Sequence, residues 1–255
     1  MKGYRASFDK VADLYAEARP GYPDESVAAV LKLTRLSARG RILEVGPGTG
    51  QITLPFAERG FEIVGLELGP NLAELARRKL AAFPNVSIVT SAFEAWTGEA
   101  DFDLVLSAQA FHWIPVGPGL TRVSQLLKPG GAAALLWQLD ASSATAFNRA
   151  TNPLWDKYVR DDPDRPKPPS SYEIYRDALT QSELFTKPVE HAVSWQKTYT
   201  KEAYIKLVST FSDHITLSEA TRRSFYAELG QVIDTFGGEV TRFYRTALLV
   251  SHKVS

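Results

Sequence analysis

The sequence predicts an α/β fold: a doubly wound, mainly parallel seven-stranded sheet that carries a small helical cap. Three observations predict it. Short apolar runs alternate with amphipathic stretches up to Asp140, a glycine-rich turn follows the first such run, and beyond Asp140 the rhythm changes to helices interleaved with two late strands. Strands alternating with helices imply parallel pairing through right-handed crossovers.

The elements follow in order. Residues 24–36, DESVAAVLKLTRL, set apolar side chains at helical spacing behind an aspartate able to cap, and Gly40 breaks the segment. RILEVG (41–46) is a short buried strand ending in a glycine turn. QITLPFAER (51–59) is a helix closed by Gly60 in a left-handed conformation, and FEIVGLEL (61–68) is a second strand. GPNLAELARRKLAAF (69–83) is a helix with proline in its first turn, NVSIVTS (85–91) a third strand and FDLVLSAQ (102–109) a fourth. LTRVSQLLKPGG (120–131) ends a helix at Pro129 and Gly130, and AAALLWQL (132–139) is the fifth strand. The prolines of DDPDRPKPPSS (161–171) mark an exposed, fairly stiff loop, either a plain connection or a lid. YEIYRDALTQSELF (172–185) is a helix and HAVSWQKTYT (191–200) a strand. Thr216 and Glu219 stand at capping-box spacing before another helix, and TRFYRTALLVSH (241–252) is the last strand. Residues 1–140 therefore make the ligand-binding core. Residues 141–255 complete the sheet and supply helices from roughly 200 to 236 as a cap, within the same globular unit.

Composition narrows the partners. With 255 residues, 44% hydrophobic and 23% charged, the chain can bury a sizeable core. Lys plus Arg and Asp plus Glu both number 29, so no global field draws a nucleic acid or an acidic membrane, and a small molecule is the expected partner. The absence of cysteine removes disulfides, thiolate metal sites and cysteine nucleophiles, and fits a reducing compartment. The charged start does not read as a signal peptide and no apolar run approaches a bilayer span, so a cytoplasmic location is expected. His191, His214 and His252 are scattered without metal-ligand spacing, and no metal is expected.

The most informative stretch is ILEVGPGTGQ. Gly46, Gly48 and Gly50 sit at alternate positions after a strand and before a helix, which lets backbone approach a ligand closely. Dinucleotide and nucleoside sites share that pattern, and a tight turn needs glycine with no ligand at all. Glu67, 21 residues after Gly46 at the end of the second strand, suits a ribose diol, because a carboxylate accepts two hydroxyl hydrogens at once. Glu44 discriminates: beside the loop it would repel a pyrophosphate and attract an ammonium or a sulfonium. Gln51, where a dinucleotide fingerprint wants glycine or alanine, points the same way.

LEVGPGTGQITLPFA followed by the acid of GLEL resembles the first two motifs of class I S-adenosylmethionine-dependent methyltransferases. FDLVLSAQAFHWI and LLKPGGAAALLW resemble the family's later motifs. FDKVADLYAEARPGYP is similar to the N-terminal helix of its small-molecule members, the trans-aconitate methyltransferase group among them, and matching motifs run from Phe8 to Trp137. The resemblance implies a Rossmann-like methyltransferase fold and S-adenosylmethionine as cofactor. It sets Gly46, Gly48 and Gly50 against the methionine moiety with Glu44 beneath it, Glu67 on the ribose hydroxyls and Leu68 on the adenine. Ala92 and Phe93 would line the adenine ring, with Ser91 where many members carry aspartate. Gln109 would close over the methionine end, and Tyr15 and Arg19 would cover its carboxylate unless they are an ordinary surface helix. A nicotinamide-dependent oxidoreductase shares the glycine loop and ribose acid but leaves Glu44 unexplained. A non-catalytic nucleoside-binding module is the third reading.

Methyl transfer from a sulfonium asks the protein mainly to orient the acceptor and exclude water. An ionised carboxylate acceptor needs no base, whereas a hydroxyl or an ammonium does. His112, just past the fourth strand, is the candidate catalytic residue, with substrate lining and plain packing as its other readings. The trans-aconitate likeness implies O-methylation of a small carboxylic acid. Trp113, Trp137, Tyr172, Tyr175, Tyr199, Tyr204 and Phe211 either wall the acceptor pocket or form the cap's core. Arg176 or another cap arginine would hold an acceptor carboxylate.

Overall fold

The structure, a computed structural model, describes residues 8–160 and 171–254, so the proline-rich segment 161–170 lies outside the described residues. The chain enters through a 3-10 turn, Phe8–Val11, and α1 (Ala12–Ala18), and α2 (Asp24–Thr34) leads to β1 (Arg41–Val45). The alternation continues through α3 (Thr53–Ala57), β2 (Glu62–Glu67), α4 (Pro70–Lys79), β3 (Val86–Thr90) and β4 (Phe102–Ala108). Next, α5 (Val116–Leu126) crosses to β5 (Leu127–Asp140), followed by α6 (Ala146–Trp155), α7 (Ser171–Gln181) and β6 (Val189–Thr200). Cap helices α8 (Lys201–Ser209), α9 (Ser212–Ile215) and α10 (Glu219–Thr235) then precede β7 (Glu239–His252).

All seven expected strands join one sheet in the order β3-β2-β1-β4-β5-β7-β6. Pairing is parallel from β3 through β5, while β7 runs antiparallel to both β5 and β6. The period of two along each strand splits the core between the faces. Ile42, Leu104, Leu106, Ala134 and Leu136 pack with residues of α2, α3 and α4, whereas Leu43, Val45, Val105, Leu135 and Trp137 pack with α5 and α7. Both faces are covered, which is why the parallel strands are nearly continuous apolar runs. A third cluster builds the cap: Phe147 of α6, Leu207 and Val208 of α8, and Phe225, Leu229 and Ile233 of α10 close on Tyr199, Val240 and Tyr244 of the β6–β7 pair. Tyr175, Tyr199, Tyr204 and Trp137 are thus core residues.

Several boundaries depart from expectation. The crossing helix stops at Leu126 rather than at Pro129, because Leu127 already pairs with Phe102; the KPGG residues bulge out before pairing resumes at Leu104 and Ala132. Ser218, not Thr216, caps α10, its hydroxyl accepting from the Thr221 N–H at 3.1 Å. Asp24 is the first residue of α2 rather than its cap, a place taken by Pro23, and the helix ends with Arg35 in the left-handed region. The sequence pattern did not reveal α6, because Pro153 interrupts it; Thr145 caps this helix by accepting from Asn148.

The N-terminal segment is strapped across the carboxyl ends of the strands. Asp9 reaches the start of α4, where its carboxylate accepts from the N–H groups of Asn71 and Leu72 at 2.8 and 3.0 Å. It caps a helix more than sixty residues away whose own N-cap, Gly69, has no side chain to offer. Glu17 pairs with Lys206 of the cap at 2.5 Å, and Gln138 of β5 donates to the Gly21 carbonyl at 2.8 Å. Asp9→Ala is expected to cost about 1 kcal/mol of stability, read as a lower thermal midpoint.

Candidate functional site

The sheet's order changes direction between β1 and β4, and ligands of open α/β sheets bind at such a switch point beyond the strand ends. An open cleft lies there, floored by Glu44 of β1 and Gly46, Pro47 and Gly48 after it and by Ala108 of β4 and Gln109 after it. Tyr15, Arg19, Pro20 and Tyr22 of the N-terminal strap roof it, with Gln51, Ile52 and Gln138 at its sides.

The glycines do different jobs. Gly46 (φ +71°) brings the β1 exit against the β4 exit so closely that a Cβ on it would lie 2.3 Å from the Ala110 Cβ. Gly48 faces the cleft, where an added Cβ would meet the ring edge of Tyr15 at 3.5 Å. Gly50 does not line the cleft; it faces Leu80, at the end of α4, and serves helix packing.

Glu67 is buried, and its carboxylate accepts from the N–H groups of Gly48 and Gly69, both at 2.9 Å. It ties the glycine loop to the loop that follows β2. The Ser91 N–H donates to the Glu67 carbonyl at 2.9 Å, which brings half-buried Leu68 and Ala92 alongside. Phe93 is 1% exposed and lies edge-on to Phe111 in the core.

Glu44 is 1% exposed, and its Oε2 has no hydrogen-bond partner although the residue lines the cleft. Burial pushes its carboxyl up to about 8, a rise that the Thr53 hydroxyl opposes and the charge of Glu67 increases. Burial, with Tyr15 and Glu44 nearby, also raises the Tyr22 phenol well above its usual range.

Gln109 has a left-handed backbone, φ +60°, and its amide donates to the Gln138 carbonyl at 3.0 Å. Arg19 donates to the Thr210 carbonyl of the cap at 2.8 Å, while its guanidinium packs on the rings of Tyr15 and Phe211. The strap therefore bridges cleft and cap, and Tyr15 and Arg19 are more than a surface helix. His112 stands apart on the turn Phe111–Trp113, outside the cleft lining, with its ring 4.8 Å from that of Trp113. Burial pushes its imidazole down to about 4, so it is neutral and weakly basic at neutral pH. Tyr22 and Gln138 went unrecognised in the sequence. Only the fold brings them together, although a β5 that outruns β4 leaves Gln138 free to face the cleft.

Comparison with known proteins decides between the readings. A family model described as a methyltransferase domain matches residues 42–131. An uncharacterised methyltransferase of Mycobacterium tuberculosis is 30% identical over 230 residues, covering 90% of this chain and 86% of that one. The chain belongs to the class I S-adenosylmethionine-dependent methyltransferases. A Schizosaccharomyces pombe methyltransferase, also uncharacterised, is 28% identical over 228 residues, covering 88% and 84% of the two chains. The methyltransferase fold recurs in a protein named as a type II methyltransferase from Anaeromyxobacter dehalogenans, with a TM-score of 0.66 at 20% identity over 92% of this chain and 97% of that one. Membership sets the nicotinamide-dependent oxidoreductase aside, and Glu44 is the residue that separates the two. In this methyltransferase the glycine loop carries a buried carboxylate where a pyrophosphate would need donors.

Proposed function

We propose that the chain binds S-adenosylmethionine in the β1–β4 cleft and methylates a small molecule, a carboxylic acid at oxygen. The observation that carries the first part is the unpartnered Oε2 of Glu44 in the cleft wall. A buried acceptor without a donor is costly, and a cationic ligand supplies both a donor and a countercharge. Gly46 and Gly48 leave the room that side chains would fill. Tyr15 and Arg19 cover the methionine end, with Arg19 toward its carboxylate and Gln109 closing the far side. Glu67 takes the ribose hydroxyls, with Leu68 and Ala92 beside the adenine.

When bound, the cofactor supplies a methyl group already activated on a sulfonium. The chain's part is then to orient an acceptor and exclude water, which the strap does by roofing the cleft. His112, weakly basic and outside the cleft, is a poor general base, and that suits an acceptor that arrives ionised. In this reading His112 packs or lines the acceptor's approach rather than moving a proton.

Calorimetric titration with S-adenosylmethionine and with NADH, repeated on Glu67→Ala, tests the assignment. The expected result is binding of the former alone, weakened about tenfold or more by the substitution, which removes the ribose acceptor and frees the Gly48 and Gly69 N–H groups. Binding of NADH without S-adenosylmethionine would sink it.

A further inference from the structure

We propose that the methyl acceptor carries an anionic group, a carboxylate or a phosphate, and that Arg242 of β7 is the residue that holds it at the seam between sheet and cap. The inference rests on the cofactor reading of the cleft and extends it to the acceptor. Gln138 lines the cleft, and Asp140 is the next residue of β5 on the same face, one strand repeat of about 6.7 Å further on. Asp140 stands opposite Tyr244, and Arg242 is the neighbour of Tyr244 on that face of β7.

Arg242 is only 8% exposed, yet among the described residues its side chain makes a single hydrogen bond, to Asp140 Oδ2 at 2.7 Å. The other oxygen of Asp140 accepts from the Ser142 N–H at 2.8 Å, so this carboxylate is divided between a turn and the arginine. The remaining guanidinium donors have no protein acceptor among the described residues. A planar fork with free donors is suited to a carboxylate or a phosphate.

The surroundings prepare the same place for negative charge. The guanidinium of Arg242 lies 5.4 Å from the ring centre of Phe211, and Arg19, from the cleft side, lies 5.0 Å from that same ring. Phe211 is thus the spacer between the cofactor cleft and Arg242. Lys197 of β6 stands directly opposite Arg242 in register. Like charges in that relation are unfavourable, and one carboxylate, Asp140, does not offset Arg242 and Lys197 together. An anion would. The hydroxyls of Tyr199 and Tyr244 bond to each other at 2.8 Å; one hydrogen is used in that bond, which leaves the other to donate. Arg176, by contrast, is half-buried and pairs with its neighbour Asp177.

The test measures transfer of labelled methyl from S-adenosylmethionine to succinate and citrate in one arm and to O-phosphoethanolamine in another, with succinamate, which keeps one carboxylate to accept methyl but lacks a second as anchor, and ethanolamine, which lacks the phosphate, as controls. The expected result is transfer to an anionic probe and not to its control, with the arm that reacts telling carboxylate from phosphate. Arg242→Gln should raise KM for that probe about tenfold or more while S-adenosylmethionine binds as before. Arg242→Lys, which keeps a cation beside Asp140, should give a smaller rise and supplies the comparison should glutamine not be tolerated in the fold. Equal use of the controls, an unchanged KM in both variants, or no transfer to any probe by protein that binds S-adenosylmethionine overturns the inference. Failure of the wild type to bind S-adenosylmethionine overturns the cofactor reading instead, and this inference with it.

Discussion

Replacing Glu44 with glutamine is expected to weaken S-adenosylmethionine binding about a hundredfold while leaving the ligand-free protein at least as stable, because the proposed partner of the carboxylate is the ligand and burial in the free protein disfavours its charged form. Glu44 is fully buried with an unpartnered oxygen, and burial raises its carboxyl to about 8. The native state therefore holds the Glu44 proton more tightly than the unfolded chain does. Its contribution to stability is complete below the unfolded value, the ordinary 4.5, and is lost as pH rises through 8. Glutamine, which cannot ionise, removes that loss. The thermal midpoint of the variant should accordingly gain on the wild type between pH 5 and pH 9.

Binding runs the opposite way. A cationic ligand favours the ionised carboxylate, so affinity for S-adenosylmethionine should rise with pH toward 8, with proton uptake by buffer on binding near pH 7. Titration calorimetry in two buffers of different ionisation heat reads that proton directly, and Glu44→Gln should reduce the amount released. A variant that binds as tightly as the wild type, with the same proton release, would show that Glu44 does not face the cation.

The parts of this protein that were legible in the sequence are those in which local pattern and tertiary role coincide. β1, β2 and β4 are largely buried on both faces and read as apolar runs; Gly46 and Gly48 mark a backbone conformation that side chains resist. What misled was a local signal overruled from a distance. KPGG looked like a helix end but is a bulge within β5, because pairing with β4 takes hold at Leu127. Phe93 sits in a motif position associated with adenine, and its ring packs edge-on against Phe111. What stayed hidden was contact between remote segments. Nothing near Asp9 in sequence announces that it caps α4, and Arg242 is one more charged residue in a strand until Asp140 and Phe211 surround it. Glycines and apolar runs speak for their own backbone, while polar site residues speak only through their neighbours.

Gly46→Ala is expected to cost roughly 3 kcal/mol of stability and to abolish measurable cofactor binding, and two companion variants separate the reasons. The first reason is backbone strain: at φ +71° any side chain is disfavoured, by about 1–2 kcal/mol. Gly60 isolates that contribution, since its φ is +81° and a Cβ there would meet nothing within 4 Å. Gly60→Ala should therefore show strain alone. The second reason is collision: the new Cβ would fall 2.3 Å from the Ala110 Cβ, directly after Gln109, whose own left-handed backbone leaves the β4 exit little freedom to retreat. The β1 and β4 exits would have to part, and these are the two walls of the cleft. Ala110→Gly in the Gly46→Ala background should return about 1 kcal/mol or more and part of the binding, a coupling measurable by denaturant unfolding in a double-mutant cycle. If Gly46→Ala costs no more than Gly60→Ala, the close approach is not what requires glycine, and the cleft owes its shape to something other than the meeting of these two strand ends.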